Sequence, residues 1–310
     1  MEIDLVYLWV DGNDPKWIEK KNHFTEMIHD NTEANCKGRY VNNDELKYSL
    51  RSAEKYAPWL RKIFIVTDEQ MPPWLDTNDP KIKIIDHKEI MPIDILPCFN
   101  ASVIEYFLYK IPDLSEHFLF SNDDMFFSAV VSPDFFFTKD GFPVIRLKRK
   151  PFGKLHYWIK YLRKKGPGTY RNIIAKASSL VERKYKKYYS GIPHHNIDAY
   201  KKSDYKEVME KIFVDEVMNS MKNRTRKKGD MHRSAVSYYA LAIEHAKMKY
   251  VNNSEALRIH AHKKDFMRIY LRYKPTLFCV NDDQRTIDDD RERIKPFLDI
   301  LFPEKSRFEK

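Results

Sequence analysis

Three short runs combine acids with small polar residues in a way that suits metal and phosphate chemistry. They are Asp11-Gly12-Asn13-Asp14, Asn122-Asp123-Asp124 and Asn281-Asp282-Asp283, and each follows an apolar stretch. Carboxylate and amide oxygens are hard ligands that suit Mg²⁺ or Mn²⁺, and such an ion bridges to phosphate oxygens. Asp, Gly and Asn are also ordinary turn formers, so turn chemistry alone accounts for the first and third runs equally well. It accounts less well for the second, because a turn needs no pair of adjacent acids behind a buried strand. His194, in the turn Gly191-Ile192-Pro193-His194-His195, is of a type that accepts protons near neutral pH. Arg226 lies in the basic run 223–228. Its planar fork suits two phosphate oxygens, and the same run reads equally as a solvated loop.

The elements that must carry these groups alternate. Residues 3–10 are a nearly continuous apolar run, predicted as a strand covered on both faces and stopped by the turn signal at 11–15. Leu46, Leu50, Ala53 and Ala57 recur at helical spacing, with Asp44 as the expected cap and Pro58 as the stop. Strands are predicted at 62–67, 81–86 and 117–121, and a helix over 99–111. Short β segments at 126–127, 135–137 and 144–147 suggest a hairpin. This rhythm predicts an α/β fold, its sheet largely parallel. Ligands of such sheets collect at the carboxyl ends of the strands, which would bring 11–14 and 122–124 to one rim. Beyond Lys148 the expected order is a mostly helical segment to about 190 broken at Gly166-Pro167-Gly168, helices over 203–221 and 231–249, a strand near 277–280, and a helix over 287–301.

The chain has 310 residues, 43% hydrophobic and 32% charged, enough for one sizeable core with an insertion and far from the composition of a disordered chain. No apolar run approaches the roughly 18 residues a membrane span needs. The start, Met1-Glu2-Ile3-Asp4, has no basic region, so no signal peptide is expected. Cys36, Cys98 and Cys279 show neither zinc spacing nor a disulfide framework, which suits a reducing compartment. Charge is uneven. Between Arg146 and Tyr189, 15 Lys or Arg stand against one acid, Glu182, interleaved with aromatics. Such a block implies nucleic acid, an anionic membrane surface or a polyanionic substrate such as a phosphate-bearing glycan, unless it is simply a solvated helical face. No phosphate-loop, dinucleotide, zinc-protease or nucleophile-elbow motif occurs.

Taken together these segments resemble the Stealth family of sugar-phosphate transferases, whose conserved regions occur here in order. The first resembles residues 3–15, from Ile3 to Pro15. The second runs from Asn43-Asp44-Glu45-Leu46 through Arg51, Tyr56-Ala57-Pro58-Trp59, Ile65-Val66-Thr67-Asp68 and Leu96-Pro97-Cys98-Phe99-Asn100 to Asn122-Asp123-Asp124. Pro193-His194 resembles the third, and Phe278-Cys279-Val280-Asn281-Asp282 the fourth. Lys47 stands where the family usually has Arg, and Asn13 where Ser or Thr is common.

The resemblance implies a transfer of hexose-1-phosphate or HexNAc-1-phosphate from a UDP-sugar to a glycan hydroxyl, with release of UMP and formation of a phosphodiester in capsular or surface polysaccharide. It implies His194 as the base, assisted by Arg226 and Asp14, and Asp11, Gly12, Asn13, Arg51 and Asn122 at the nucleotide-sugar. Asp123, Asp124 and Asp282 would bind Mg²⁺ or Mn²⁺. The fold implied is a nucleotide-sugar transferase core with a basic helical insertion: 1–147 as the donor-binding half, 148–190 as the insertion that meets acceptor or membrane, and 191–310 as the remainder. The partners implied are a UDP-sugar, a polysaccharide or lipid-linked glycan, and the anionic inner face of a bacterial membrane, with no nucleic acid. Two rivals fit parts of the sequence. A metal-dependent glycosyltransferase would use the same acids and release UDP. A non-catalytic nucleic-acid-binding protein would use the basic stretch and leave the acidic strand ends unexplained.

Overall fold

The N-terminal apolar run forms a strand with five of its six residues buried, as an interior sheet position demands. This computed structural model describes residues 1–25, 36–150, 169–227 and 229–310, with Phe152, Gly153, Leu155 and Ile159 between the second and third stretches. The strands in chain order are β1 (Ile3–Leu8), β2 (Ile63–Thr67), β3 (Ile82–Asp86), β4 (His117–Asn122), β5 (Met125–Phe127), β6 (Val144–Lys148), β7 (Ile192–Pro193), β8 (Asp198–Lys201), β9 (Lys247–Tyr250), β10 (Ala256–His260) and β11 (Leu277–Asn281). The helices used below are α1 (Pro15–Phe24), α2 (Glu45–Tyr56), α3 (Thr169–Tyr185), α4 (Ser234–Ala242) and α5 (Ile294–Leu301).

The main sheet has the order β3-β2-β1-β4-β8. Its first four strands are parallel and β8 is antiparallel to β4. The α/β, mostly parallel core expected from the sequence is therefore present. Two three-stranded sheets, β10-β11-β5 and β7-β6-β9, complete it. Side-chain alternation sorts the core. Leu5, Tyr7, Ile63, Ile65 and Leu119 belong to one hydrophobic cluster with Leu46, Leu50 and Ala53 of α2. Val6, Phe64, Val66, Phe118 and Phe120 belong to another with Ile174, Ala177 and Val181 of α3 and Val236 and Leu241 of α4. A third joins Phe126, Phe278, Val280 and α5 through Phe297 and Leu298. Strand order reverses between β1 and β4, and this opens a crevice at the carboxyl ends of those two strands.

Several local expectations are corrected. Asp44 caps nothing with its side chain; its backbone is left-handed, at φ 64°. The stretch 99–111 is helical only at Ala101–Glu105 and a tight turn at Leu108–Lys110. Tyr106, Phe107, Leu108 and Tyr109 are all buried, so the backbone turns to sink every one rather than a single helical face. Phe135 and Phe136 are not strand: Pro133 opens a helical turn, Pro133–Phe136, which suits the fixed φ of proline, whereas Phe137 makes an isolated antiparallel bridge to Pro143. The helix expected over 231–249 ends at Ala242, and Lys247–Tyr250 is drawn into parallel pairing with β6. The expected break at 166–168 lies outside the described residues. Among the described residues no helix is long and apolar enough to cross a membrane.

Arg51, expected at the nucleotide, lies midway along α2 and faces the C-terminal segment. It donates from Nε and Nη2 to both oxygens of Glu309 at 2.7 Å, and from Nη1 to the Phe302 carbonyl at 2.7 Å. Both side chains are nearly buried, so the fork ties the C-terminus to α2. Arg51→Ala leaves Glu309 buried without its partner. It should lower unfolding free energy by about 3 kcal/mol in urea titration while leaving nucleotide affinity of the folded fraction unchanged. An unchanged midpoint with weakened nucleotide binding would return Arg51 to the ligand.

Candidate active site

The crevice widens into a cavity of about 190 Å³. Trp9 and Val10 follow β1 into its wall, Asn122, Asp123 and Asp124 extend it from β4, and Asn281 and Asp282 from β11. Glu45, first residue of α2, joins them. Two glycines allow the close packing behind this wall. A Cβ on Gly38 would lie 2.2 Å from Asp282 Oδ1, and one on Gly12 would lie 2.2 Å from the Tyr40 carbonyl oxygen. Asp282 also receives the Arg291 fork at 2.7 and 3.1 Å, so much of its charge is already balanced.

Glu45, Asp123 and Asp124 are not balanced in that way. Burial first, then the charges of Glu45 and Asp124, pushes the Asp123 carboxyl well above the usual carboxylate range. Burial and Asp124 likewise raise Glu45, although Asn43 donates to it from backbone and side chain at 2.7 Å. Burial lifts Asp124 to about 6. Its Oδ2 accepts from the Cys279 thiol at 3.2 Å, whereas Oδ1 is buried with no partner. Three crowded carboxyls and an orphaned oxygen fit a hard divalent cation. His195 and Cys279 bring further donor atoms to within 4.8 Å of Asp124. Burial and the neighbouring Asp124 keep the Cys279 thiol protonated, however, so it serves as a donor to Asp124.

Cations line the rest of the cavity: Arg39, Arg226 and Arg233. Arg226 makes no hydrogen bond or ion pair to any described residue. Arg233 bridges Glu105 at 3.0 Å and Asp198 at 3.2 Å and lies 4.1 Å over the Phe120 ring. Acids on one wall and arginines on the other make a site for a bound group that carries both metal and phosphate.

The residues expected from the sequence divide into two sets. Asn122, Asp123, Asp124, Asp282 and Arg226 share the cavity. Asp11, Gly12, Asn13 and Asp14 follow the lining residue Val10 but do not line the cavity themselves. Asp11 accepts from the Asn13 amide at 3.0 Å, and Asp14 caps α1 through the Lys16 amide. Gln70 donates to Asp14 at 3.0 Å and is the main cause holding that carboxyl below its usual range. His194 lies behind the wall, buried, with Nε2 3.1 Å from Asp198 Oδ1 and Nδ1 without a partner. It is His195 that lines the cavity, held at φ 61° with its ring edge-on to Tyr170. Burial and the charges of Arg258, Arg39 and Arg233 keep that imidazole neutral. Glu45, Arg39, Glu105, His232 and Arg233 also line the site. The sequence signal for Glu45 was its place in Asn43-Asp44-Glu45; the others stand in ordinary contexts.

Residues 1–27 match the model for Stealth protein conserved region 1, and residues 39–145 that for conserved region 2. The chain is 35% identical over 291 residues to the capsular polysaccharide phosphotransferase fcs1 of Haemophilus influenzae, covering 90% of this chain and 78% of that protein. It is 31% identical to the capsular polysaccharide phosphotransferase SacB of Neisseria meningitidis serogroup A, over 100% of this chain and 57% of that one. An exopolysaccharide phosphotransferase of Streptomyces coelicolor is 33% identical over 99% of this chain and 51% of its own length. The chain thus spans little more than half of the last two relatives. Among solved structures, the galactosyltransferase LgtC superposes with a TM-score of 0.44 at 11% identity, covering 98% of both chains.

A raised carboxyl pKa penalises the ionised fold, and the penalty grows as pH rises from the ordinary carboxylate range near 4 through about 6, the value for Asp124. In metal-free buffer at pH 8, Asp123→Asn should therefore raise stability, and raise it less at pH 4.5. Mg²⁺ should raise the thermal midpoint of the wild type at pH 8 and leave that of the variant in place. Equal shifts for both proteins would remove Asp123 from the cation site.

Proposed function

We propose that this chain, which belongs to the Stealth family of capsular and exopolysaccharide phosphotransferases, moves a hexose-1-phosphate from a UDP-sugar to a glycan hydroxyl. The observation that carries this reading is the bipolar cavity at the reversal point of the sheet, with Glu45, Asp123 and Asp124 facing Arg39, Arg226 and Arg233. The acceptor oxygen attacks the phosphorus attached to the sugar. The bond from that phosphorus to the bridging oxygen breaks, and UMP leaves with the electron pair. Arg226, with no competing partner among the described residues, holds phosphate oxygens. Glu45, Asp123 and Asp124 would hold Mg²⁺ or Mn²⁺, an ion that draws charge off a diphosphate. Asp282, steadied by Arg291, supports the same wall.

We assign the hydroxyl proton to His194 by its match to the family's third region; its ring is buried behind the cavity wall, so the acceptor hydroxyl must reach it there. Asp198 fixes Nε2–H and so leaves Nδ1 as the basic nitrogen, the arrangement a general base requires. His195 is a second acceptor, favoured by its position on the cavity wall and opposed by the three arginines that make its ring less basic. We place the reaction on the cytoplasmic side of a bacterial membrane. Three free, buried cysteines suit a reducing compartment, and the relatives named above are capsule and exopolysaccharide enzymes. Segment 148–190 forms the acceptor or membrane contact; within it α3 carries Arg183 and Lys184 in its last turn, and Lys186 and Lys187 follow directly.

Incubation with Mg²⁺, UDP-hexoses and a capsular acceptor should release UMP, resolved from UDP by chromatography; release of UDP would replace phosphotransfer with glycosyl transfer. His194→Ala should lower kcat about 10³-fold, whereas His195→Ala should chiefly raise KM. The reverse pattern would move the base to His195. Charge reversal at Lys184, Lys186 and Lys187 should raise KM for a polyanionic acceptor and spare donor binding, and equal loss of both would end that division of labour.

A further inference from the structure

Outside the cavity, β10 and β11 end side by side in a second group of ligating side chains. His260 closes β10 and His262 follows in the turn closed by the Lys263 N–H donating to the His260 carbonyl at 2.9 Å, which brings the two rings to 5.4 Å between centroids. Asp283 follows β11 by two residues, and His260 pairs with Asn281 in the parallel register. Nδ1 of His260 lies 3.1 Å from Asp283 Oδ2, and Nδ1 of His262 lies 3.7 Å from Oδ1. The three ligating atoms lie within 4.8 Å of one another. A tetrahedral zinc ion with ligands at 2.0–2.1 Å needs neighbouring ligand atoms about 3.3 Å apart. The separation of His260 Nδ1 from Asp283 Oδ2 is already close to that.

We propose that His260, His262 and Asp283 form a second metal site, selective for a borderline transition ion of the Zn²⁺ type and distinct from the oxygen-rich site in the cavity. Two imidazole nitrogens and one carboxylate favour Zn²⁺ over Mg²⁺, which takes oxygen ligands almost exclusively. A separate observation points the same way: Nδ1 of His262 is buried and has no hydrogen-bond partner. The place is already arranged for a cation. Arg285 reaches into it, touching both oxygens of Asp283 and lying 3.3 Å from His260 Nδ1. That side chain is more than half exposed, and a surface guanidinium yields to an incoming metal at small cost. The bound ion would clamp the end of β10 to the loop after β11. Asp282, the residue before Asp283, lines the cavity, so the clamp would stiffen the acidic wall from behind without entering it. The inference does not depend on the reaction assigned to the cavity.

The test is calorimetric titration of the chelator-stripped chain with Zn²⁺ in excess Mg²⁺, joined to Co²⁺ titration read by visible d–d absorption. One equivalent of Zn²⁺ should bind, and Co²⁺ should give the strong absorption of tetrahedral coordination. Both signals should be lost in His262→Ala and in Asp283→Asn and kept in Asp123→Asn and Cys279→Ser. Arg285→Ala removes the competing cation and keeps all three ligands, so it should tighten Zn²⁺ binding. No uptake, uptake that survives His262→Ala in a folded protein, or uptake lost only in Asp123→Asn or Cys279→Ser would overturn the proposal. So would weaker binding in Arg285→Ala.

Discussion

Three carboxyls that cannot all be ionised side by side dominate this molecule. Glu45 comes from the first turn of α2, and Asp123 and Asp124 follow β4 directly. Each is held above the ordinary carboxylate range. A fold tolerates such crowding only where something positive is meant to enter, because relaxing the loops would otherwise remove the penalty. The loops here are prevented from relaxing. Ser49 Oγ donates to the Met125 carbonyl at 2.5 Å and meets Tyr7 Oη at 2.8 Å, which locks α2 to β1 and β5. Val280 N donates to the Asp124 carbonyl at 3.0 Å, which locks β11 to the same turn.

Opposite these acids the cation wall depends on a different buried network. Arg233 would be a costly buried charge on its own. Glu105 and Asp198 compensate it, and Asp198 in turn orients His194. One chain of contacts therefore runs from a cavity-lining guanidinium to a histidine behind the wall. Loss of Asp198 would both unbalance Arg233 and free the His194 ring, so the charge balance of Arg233 and the orientation of His194 are coupled through a single carboxylate. The main sheet makes this possible because β8, which begins at Asp198, is added to the edge of β4.

The strands were legible because buried sheet interiors need mostly apolar runs, and Ile3–Leu8, Ile63–Thr67 and His117–Asn122 are apolar but for Asp4, Thr67 and the ends of the third. The acids after β4 were legible because adjacent charges behind a buried strand have no role in a turn. Arg51 was not. Its partner, Glu309, is 258 residues away, and a long-range ion pair leaves no local pattern. Asp11 and Asp14 belong to a run that suits a metal and a turn equally, and in the structure their side chains serve turn and cap geometry. The stretches 99–111 and 231–249 were read as helix from composition, and tertiary burial and pairing with β6 overrode local preference there.

The adjacent histidines show where sequence similarity and geometry supply different information. Similarity to the family falls on His194, but the ring exposed to the cavity is that of His195. Neighbouring residues point in different directions, and the left-handed backbone of His195 sharpens that divergence. A base needs an orienting partner and a free lone pair, and His194 has both. A side chain that meets a bound group from the cavity wall must sit among the arginines there, and His195 does. The two demands conflict in one imidazole, since the arginines that attract phosphate also suppress basicity. Two consecutive histidines on opposite sides of the cavity wall separate them, one ring shielded beside Asp198 and the other set among the arginines.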